Sequence, residues 1–238
     1  MIPIRDRLAV RTTPYVTYAL IATNALAFLW ESFATKAYYP GLVVDWGFVP
    51  ARFLSAPNVD LLTLFSSMFL HGGLLHLIGN MLFLKVFGDN VEDAVGHLRF
   101  SAFYLIGGIV AALVQLMIDP SSIVPMIGAS GAISAVLAAY LTIYPRARVT
   151  VLVPIFVIAS VFEFPAWLVI LEWFAIQVLQ GFISLAGAPR AGGVAWFAHI
   201  GGFVAGLVLI RGFMIGRTRQ SYEPWRRWRD VPSTPWSA

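Results

Sequence analysis

The chain has 238 residues, of which 59% are hydrophobic and only 12% are charged, and its mean hydropathy is +0.79. This composition excludes an ordinary soluble domain and indicates a polytopic membrane protein. The lack of cysteine excludes disulfides, a thiol nucleophile and thiolate zinc sites. Membrane topology and lipid headgroups explain the net charge of +4 better than an anionic partner does.

Six segments are apolar enough to cross the hydrocarbon core of a bilayer, which takes about 20 helical residues. They lie near residues 15–34, 72–90, 98–118, 128–145, 165–186 and 193–214. The second segment is the least apolar, because it contains His76, Asn80 and Lys85. The sequence therefore predicts six membrane spans, the second of them with an unusually polar face.

Two long stretches between the predicted spans are also rich in apolar residues. Residues 35–71 mix aromatic, apolar and proline residues and predict an ordered external or interfacial loop. Residues 146–164 are apolar and β-branched but contain Pro154, so we expect an interfacial segment leading into the fifth helix rather than a seventh span. The expected organisation is a cytoplasmic N-terminal segment over 1–14, a six-helix membrane domain over 15–214 and a cytoplasmic basic and aromatic tail over 215–238.

The basic residues predict the orientation of the chain. Six spans place both termini on one side, and 13 of the 16 Lys and Arg residues fall on that side. The three on the opposite side are Lys36, Arg52 and Arg190. By the positive-inside rule, both termini are expected to be cytoplasmic. No small-residue cleavage site follows the first span, so we expect it to be retained.

Polar residues of three spans share one depth. His76, Ser130 and His199 all fall in the first third of spans that begin on the external side. His76 and Asn80 are four residues apart and therefore lie on one helix face. Ionisable residues inside membranes are costly and usually functional, and an attacking serine needs a neighbouring base. The pattern predicts a serine hydrolase site inside the membrane that opens to the external side.

A glycine stripe predicts how the serine and the histidine meet. Gly202 and Gly206 follow His199 by three and seven residues and leave a smooth surface on its helix face. The expected opposing surface is span four, where Gly131 and other small residues follow Ser130. Close approach of these two helices would bring Ser130 and His199 within hydrogen-bonding reach.

Four sequence elements, taken in order, resemble the rhomboid family of intramembrane serine proteases, of the bacterial type. They are the run Gly128-Ala129-Ser130-Gly131, His199 with Gly202 and Gly206, His76 and Asn80 within HGGLLHLIGNMLF, and the run Gly88-Asp89-Asn90-Val91-Glu92-Asp93. The resemblance covers about residues 10 to 215. A lone GxSG run is weak, since soluble hydrolases also carry it. The resemblance implies an all-α bundle of six transmembrane helices with a long first external loop.

The resemblance also implies the site. Ser130 would be the nucleophile and His199 the general base, in a dyad without an orienting carboxylate. The oxyanion hole would comprise the Ser130 backbone N–H with the side chains of Asn80 and His76, and His71 would shape the loop. Gly128, Gly131, Gly202 and Gly206 would pack the helices at the site. Ser134 departs from the aromatic residue that often stands there in the family, so Trp196, Phe197 or a hydrogen bond would have to support His199.

The implied function is intramembrane cleavage of single-span membrane proteins near the external face of a bacterial plasma membrane. We expect no metal or organic cofactor and no nucleic-acid partner, while the oligomeric state stays open. Span five, with Trp167, Trp173 and Phe174, would form the lateral opening for a substrate, and residues 186–197 would form a mobile cap. Water must reach Ser130, because the acyl-enzyme has to be hydrolysed.

Other functions fit the sequence less well. Ser130 could be a capping or packing residue and His199 an interhelical hydrogen-bond donor. A transporter would explain the buried polar residues, but no inverted repeat is evident and the polar groups lie near one face. A rhomboid-like membrane chaperone without activity usually lacks the serine or the histidine, and both are present. A metalloprotease is disfavoured because no HExxH motif occurs.

Overall fold

The computed structural model describes residues 1–155, 158–185 and 194–217, most of which are helical. The strands are β1 (Ile2–Asp6), β2 (Arg148–Ile155) and β3 (Ile158–Pro165). The helices are α1 (Tyr15–Ala37), α2 (Leu42–Trp46), α3 (Pro50–Ser55), α4 (Pro57–Asp60), α5 (Thr63–Ser66), α6 (Leu74–Phe83), α7 (Asp89–Val95), α8 (His97–Ile118), α9 (Ser130–Ile143), α10 (Ala166–Leu185) and α11 (Trp196–Phe213). A 3₁₀ turn (Ser67–Phe69) follows α5, and a π-helical stretch (Leu84–Gly88) joins α6 to α7.

Helices occupy all six predicted span positions. Among the described residues, α8, α10 and α11 are each long and apolar enough to cross a membrane. The helix from α6 to α7 passes the same test together with α5, from which it is bent by 96°. The helix α9 has only 14 residues and lies almost entirely inside the protein. The predicted fold, a helical membrane bundle with a long first loop, is confirmed.

The first loop, residues 35–71, is ordered by short helices and by one arginine. The Arg52 guanidinium donates to the carbonyl oxygens of Val44 (2.5 Å) and Gly47 (2.8 Å) and pairs with Asp60 at 2.7 Å. Hydrogen bonds to a charged group are stronger than neutral ones. The Arg52 guanidinium thus joins α2, α3 and α4 beside the bundle.

The segment 146–164, predicted as an interfacial segment without an assigned secondary structure, forms a β-hairpin. The strands β2 and β3 pair antiparallel, and β1 from the N-terminal segment pairs antiparallel with β2. Val149 and Val151 are fully buried on one face of this three-stranded sheet. The β-branched residues that disfavoured a helix here are the residues that favour strands. The strand β3 runs directly into α10, so the segment does lead into the fifth span.

The acidic run of residues 88–93 is part of the helical bundle and not a solvated loop, although its charge would favour one. The run is helical, and the Glu92 side chain is 0% exposed. The Glu92 carboxylate accepts hydrogen bonds from the backbone N–H groups of Val16 (2.9 Å) and Thr17 (2.7 Å), in the first turn of α1. These N–H groups have no partner within their own helix, so the carboxylate satisfies them from outside.

The helix α9 lies at the centre of the bundle, between α8 and α11. An added Cβ on Gly202 would overlap the carbonyl oxygen of Gly131, and one on Gly206 would overlap the backbone of Ala135. Glycines on α11 therefore let its backbone touch the backbone of α9. This contact fixes the separation of the two helices that carry Ser130 and His199.

Candidate active site

A tight turn presents Ser130 as the first residue of α9. Gly128 has φ of +118°, a backbone conformation that other residues rarely adopt, and its N–H donates to the Ser67 carbonyl at 2.8 Å. An added Cβ on Gly128 would also lie 2.8 Å from the His76 ring. Glycine is therefore needed here on two grounds, conformation and space.

Ser130 and His199 lie within hydrogen-bonding distance. Ser130 Oγ is 2.7 Å from His199 Nε2, although the residues are 69 positions apart. Ser130 belongs to α9 and His199 to the first turn of α11, and the backbone contact at Gly202 lies directly below them. The separation is that of a strong O–H···N hydrogen bond.

The other nitrogen of His199 faces an amide that sequence reasoning missed. His199 Nδ1 lies 2.8 Å from Gln177 Oε1 on α10, and Gln177 Nε2 lies 3.0 Å from the Trp173 carbonyl oxygen. Gln177 is only 5% exposed. The available signal was an amide inside a mostly apolar span, which also contains Glu172 and Gln180. No charge or spacing marked it as a neighbour of His199.

Two tryptophans and Ser134 explain the departure from the family pattern. The ring of His199 is 5.9 Å from that of Trp173 and 6.0 Å from that of Trp196, with interplanar angles of 39° and 89°. Ser134 is fully buried, and its hydroxyl donates to the Ser130 carbonyl oxygen at 2.6 Å. A Cβ added to Gly202 on α11 would lie only 3.3 Å from the Ser134 Cβ. A ring at position 134 would collide with α11, so the aromatic contacts come from α10 and the start of α11 instead.

His76 and Asn80 line the cavity that contains Ser130 and His199. Asn80 is 7% exposed, and its Nδ2 makes no hydrogen bond to any residue that the structure describes. A buried donor without a partner is costly, and such groups often occur at functional sites. This N–H₂ group is available to a negatively charged oxygen in the cavity.

His71 lies behind His76 and not in the cavity. His71 is 1% exposed, and its backbone N–H donates to Glu31 Oε2 at 2.9 Å. The centroid of its ring lies 5.1 Å from that of the His76 ring. The buried Glu31 carboxylate on α1 thus holds the turn before α6. His71 therefore shapes the backbone from which His76 projects.

The cavity has a volume of about 680 Å³. Its polar lining includes His76, Asn80, Ser130, Gln177 and His199. Between α6 and α10, the ring centroids of Phe83 and Trp173 lie 6.2 Å apart, and these two rings form the seam between the two helices. Over residues 1–155, 158–185 and 194–217, no three His, Asp or Glu side chains come close enough to hold a metal ion. The arrangement can support acyl transfer to a serine.

Two predicted features fall largely outside the described residues. The proposed cap over 186–197 is described only from residue 194, where Trp196 begins α11. The predicted tail over 215–238 is described only to residue 217. Of the predicted lateral opening on α10, Trp173 lies beside His199, and Phe174 stacks on Phe203 of α11 with ring centroids 4.1 Å apart.

Comparison with known proteins matches residues 58–216 to the Rhomboid domain. RHOMBOID-like protein 5 of Arabidopsis thaliana is 32% identical over 159 residues, covering 64% of this chain and 43% of that protein. Rhomboid-related protein 1 of Caenorhabditis elegans is 30% identical over 203 residues, covering 79% and 51%. Presenilin-associated rhomboid-like protein A, mitochondrial, of Danio rerio is 28% identical over 146 residues, covering 59% and 34%. The chain spans between a third and about half of the length of these relatives.

Proposed function

The chain belongs to the rhomboid family and is an integral membrane protein, and on that premise we propose that it is an intramembrane serine endopeptidase. The observation that carries the proposal is the 2.7 Å separation of Ser130 Oγ and His199 Nε2 inside a membrane-embedded bundle. The resemblance noted in the sequence is confirmed at the level of the family.

In the proposed reaction, Ser130 Oγ attacks the carbonyl carbon of the scissile peptide bond while His199 Nε2 takes its proton. The resulting tetrahedral intermediate collapses when the C–N bond breaks, and His199 returns the proton to the leaving amine. A water molecule then attacks the ester, again giving its proton to His199, and releases Ser130. Each step needs the same short contact between the two residues.

Charge stabilisation is assigned to the groups around Ser130. The Ser130 backbone N–H lies at the N-terminus of α9, where the helix dipole favours negative charge. The free Asn80 amide and the His76 ring complete the donors for the oxyanion. A donor that the protein holds in place stabilises the oxyanion more than a solvent donor does, because it does not need to reorient during the reaction.

The proposed substrates are single-span membrane proteins that reach the cavity sideways from the lipid. A helix hides its carbonyls in its own hydrogen bonds, so cleavage requires local unwinding near small or helix-breaking residues. The seam between Phe83 and Trp173 is the proposed path, because both rings line the cavity and meet between α6 and α10. The cavity of about 680 Å³ has room for a short unwound segment.

The proposed orientation has both termini in the cytoplasm and the cavity open to the external side. Its support is the distribution of basic residues. The motif set suggests a bacterial plasma membrane, and we include this in the proposal. Protease accessibility of tags on each terminus in sealed vesicles tests the orientation.

Cleavage of a labelled single-span reporter in liposomes tests the proposed function. We expect Ser130→Ala and His199→Ala each to abolish cleavage, and the double variant to be no worse, because nucleophile and base act as a unit. Ser101→Ala is the matched control, since the Ser101 hydroxyl donates to the His97 carbonyl oxygen within α8 and lies outside the cavity lining. Binding of the reporter by the wild type without any cleavage would instead favour a rhomboid-like membrane chaperone.

A further inference from the structure

We propose that Gln177 is a positioning residue that holds His199 in the tautomer a general base requires. The proposal rests on the proposed function and adds a third member to the Ser130 and His199 pair. Its basis is a chain of three hydrogen bonds that runs from the α10 backbone through Gln177 and His199 to Ser130.

The backbone fixes which way the Gln177 amide faces. One end of the amide lies 3.0 Å from the Trp173 carbonyl oxygen, which can only accept a hydrogen bond. The NH₂ group must therefore face Trp173, and Oε1 must face His199. The reverse orientation would set two oxygens against each other.

The amide orientation determines the protonation of the imidazole. Because Gln177 Oε1 can only accept, His199 Nδ1 at 2.8 Å must carry the hydrogen. In the neutral ring, Nε2 is then unprotonated and accepts the Ser130 hydroxyl proton at 2.7 Å. This is the tautomer that serine hydrolysis needs, and in soluble enzymes a carboxylate usually selects it.

A glutamine suits this role inside a membrane. It supplies an acceptor without a formal charge, whereas a carboxylate at this depth would be costly. Gln177 is 5% exposed, its donor is used by the backbone of its own helix, and its acceptor is directed at His199. Burying an amide is itself unfavourable, and an apolar residue would pack here at less cost. The polar side chain is explained by its contact with His199.

The test compares Gln177→Met and Gln177→Glu with the matched control Gln180→Met, which lies one turn further along α10. Methionine has similar length but cannot accept from Nδ1–H, while glutamate keeps an acceptor. We expect Gln177→Met to lower kcat roughly 10- to 100-fold with KM nearly unchanged. Gln177→Glu should recover most of that loss, and Gln180→Met should match the wild type.

A spectroscopic readout separates this role from packing. The ¹⁵N chemical shifts of the His199 imidazole should report an Nδ1–H ring in the wild type and a shift toward Nε2–H in Gln177→Met. If the methionine variant does not fold, Gln177→Asn serves instead, since it stays polar but withdraws the acceptor by about 1.5 Å. We expect the same loss of kcat and the same change of tautomer.

The proposal is overturned if Gln177→Met keeps wild-type kcat, or if its His199 stays an Nδ1–H ring. It is also overturned if Gln177→Glu is as impaired as Gln177→Met. Failure of the proposed function is a different result, in which the wild type neither cleaves the reporter nor reacts at Ser130. The tautomer measurement stands in that case, because it needs no activity.

Discussion

Gly202 on α11 rests against the backbone of α9, and replacing it by alanine tests what holds the site together. An added Cβ would overlap the carbonyl oxygen of Gly131, which belongs to the helix backbone and cannot rotate away. A normal carbon to oxygen contact is about 3.3 Å or more, so α11 would have to move outward by about 1 Å. Gly202→Ala is therefore expected to separate the two helices.

The size of this movement decides its effect on catalysis. The Ser130 Oγ to His199 Nε2 distance of 2.7 Å would lengthen toward about 3.7 Å, beyond the range of a hydrogen bond. A misplacement of about 1 Å at reacting groups costs on the order of 100-fold in rate. Overpacking of this kind also destabilises a core by about 1 to 3 kcal/mol. We expect activity and stability to fall together.

The assay is reporter cleavage per folded molecule, measured beside the melting temperature in detergent. Gly212→Ala is the matched control, because Gly212 lies on the same helix with nothing within 4 Å of its added Cβ. Gly216 is less suitable, since its φ of +73° would strain any substitution. Full activity and an unchanged melting temperature in Gly202→Ala would refute the reasoning that this contact sets the dyad distance.

Three further predictions concern the oxyanion donor, the lateral seam and the acidic helix. Asn80→Ala should lower kcat by about 10- to 1,000-fold with little change in KM, measured as turnover per folded molecule. Phe83→Ala removes one of the two rings at the seam and should speed reporter cleavage a few-fold, while labelling by a small fluorophosphonate stays constant. Glu92→Ala leaves the Val16 and Thr17 N–H groups unpaired and should lower the free energy of unfolding by about 2 to 4 kcal/mol. The expected readout is a lower melting temperature with normal activity per folded molecule.

Each of these predictions has a result that contradicts it. A lower melting temperature with full turnover in Asn80→Ala would make Asn80 a packing residue. Equal acceleration of reporter cleavage and small-probe labelling in Phe83→Ala would place the change at the dyad rather than at the seam. An unchanged melting temperature in Glu92→Ala would mean that water replaces the carboxylate at the start of α1.

Hydropathy was sufficient to predict the long helices, and the order of the motifs was sufficient to predict the family, because each signal can be recognised within short stretches of sequence. Six helices occur where apolar windows predicted spans, and the motif around Ser130 begins α9. The pairing of β1 with β2 was missed because these strands are almost 150 residues apart, and a pairing over that separation leaves no local signal. The burial of Glu92 was missed for the same reason, since its partners Val16 and Thr17 lie on another helix. The β2–β3 hairpin did have a local signal, its β-branched residues, but these were used only as an argument against a seventh span.

The site shows the same division between local and distant information. Ser130, His199, His76 and Asn80 were selected because they share one depth in the predicted spans and belong to recognisable motifs. Gln177 is neutral and resembles ordinary interhelical polar residues, so only the packing of α10 beside α11 reveals its contact with His199. Ser134 was recognised as a departure from the family pattern, but its reason, the closeness of Gly202, required the structure.

The most direct test of the central claim is labelling by a fluorophosphonate, followed by mass mapping of the modified peptide. Such a probe forms a stable bond only with a serine that a neighbouring base activates. We predict a single adduct on Ser130 in the wild type, and none in Ser130→Ala or His199→Ala. Absence of the adduct from folded wild-type protein, or equal labelling of Ser130→Ala, would contradict the assignment of Ser130 as the nucleophile of an intramembrane protease.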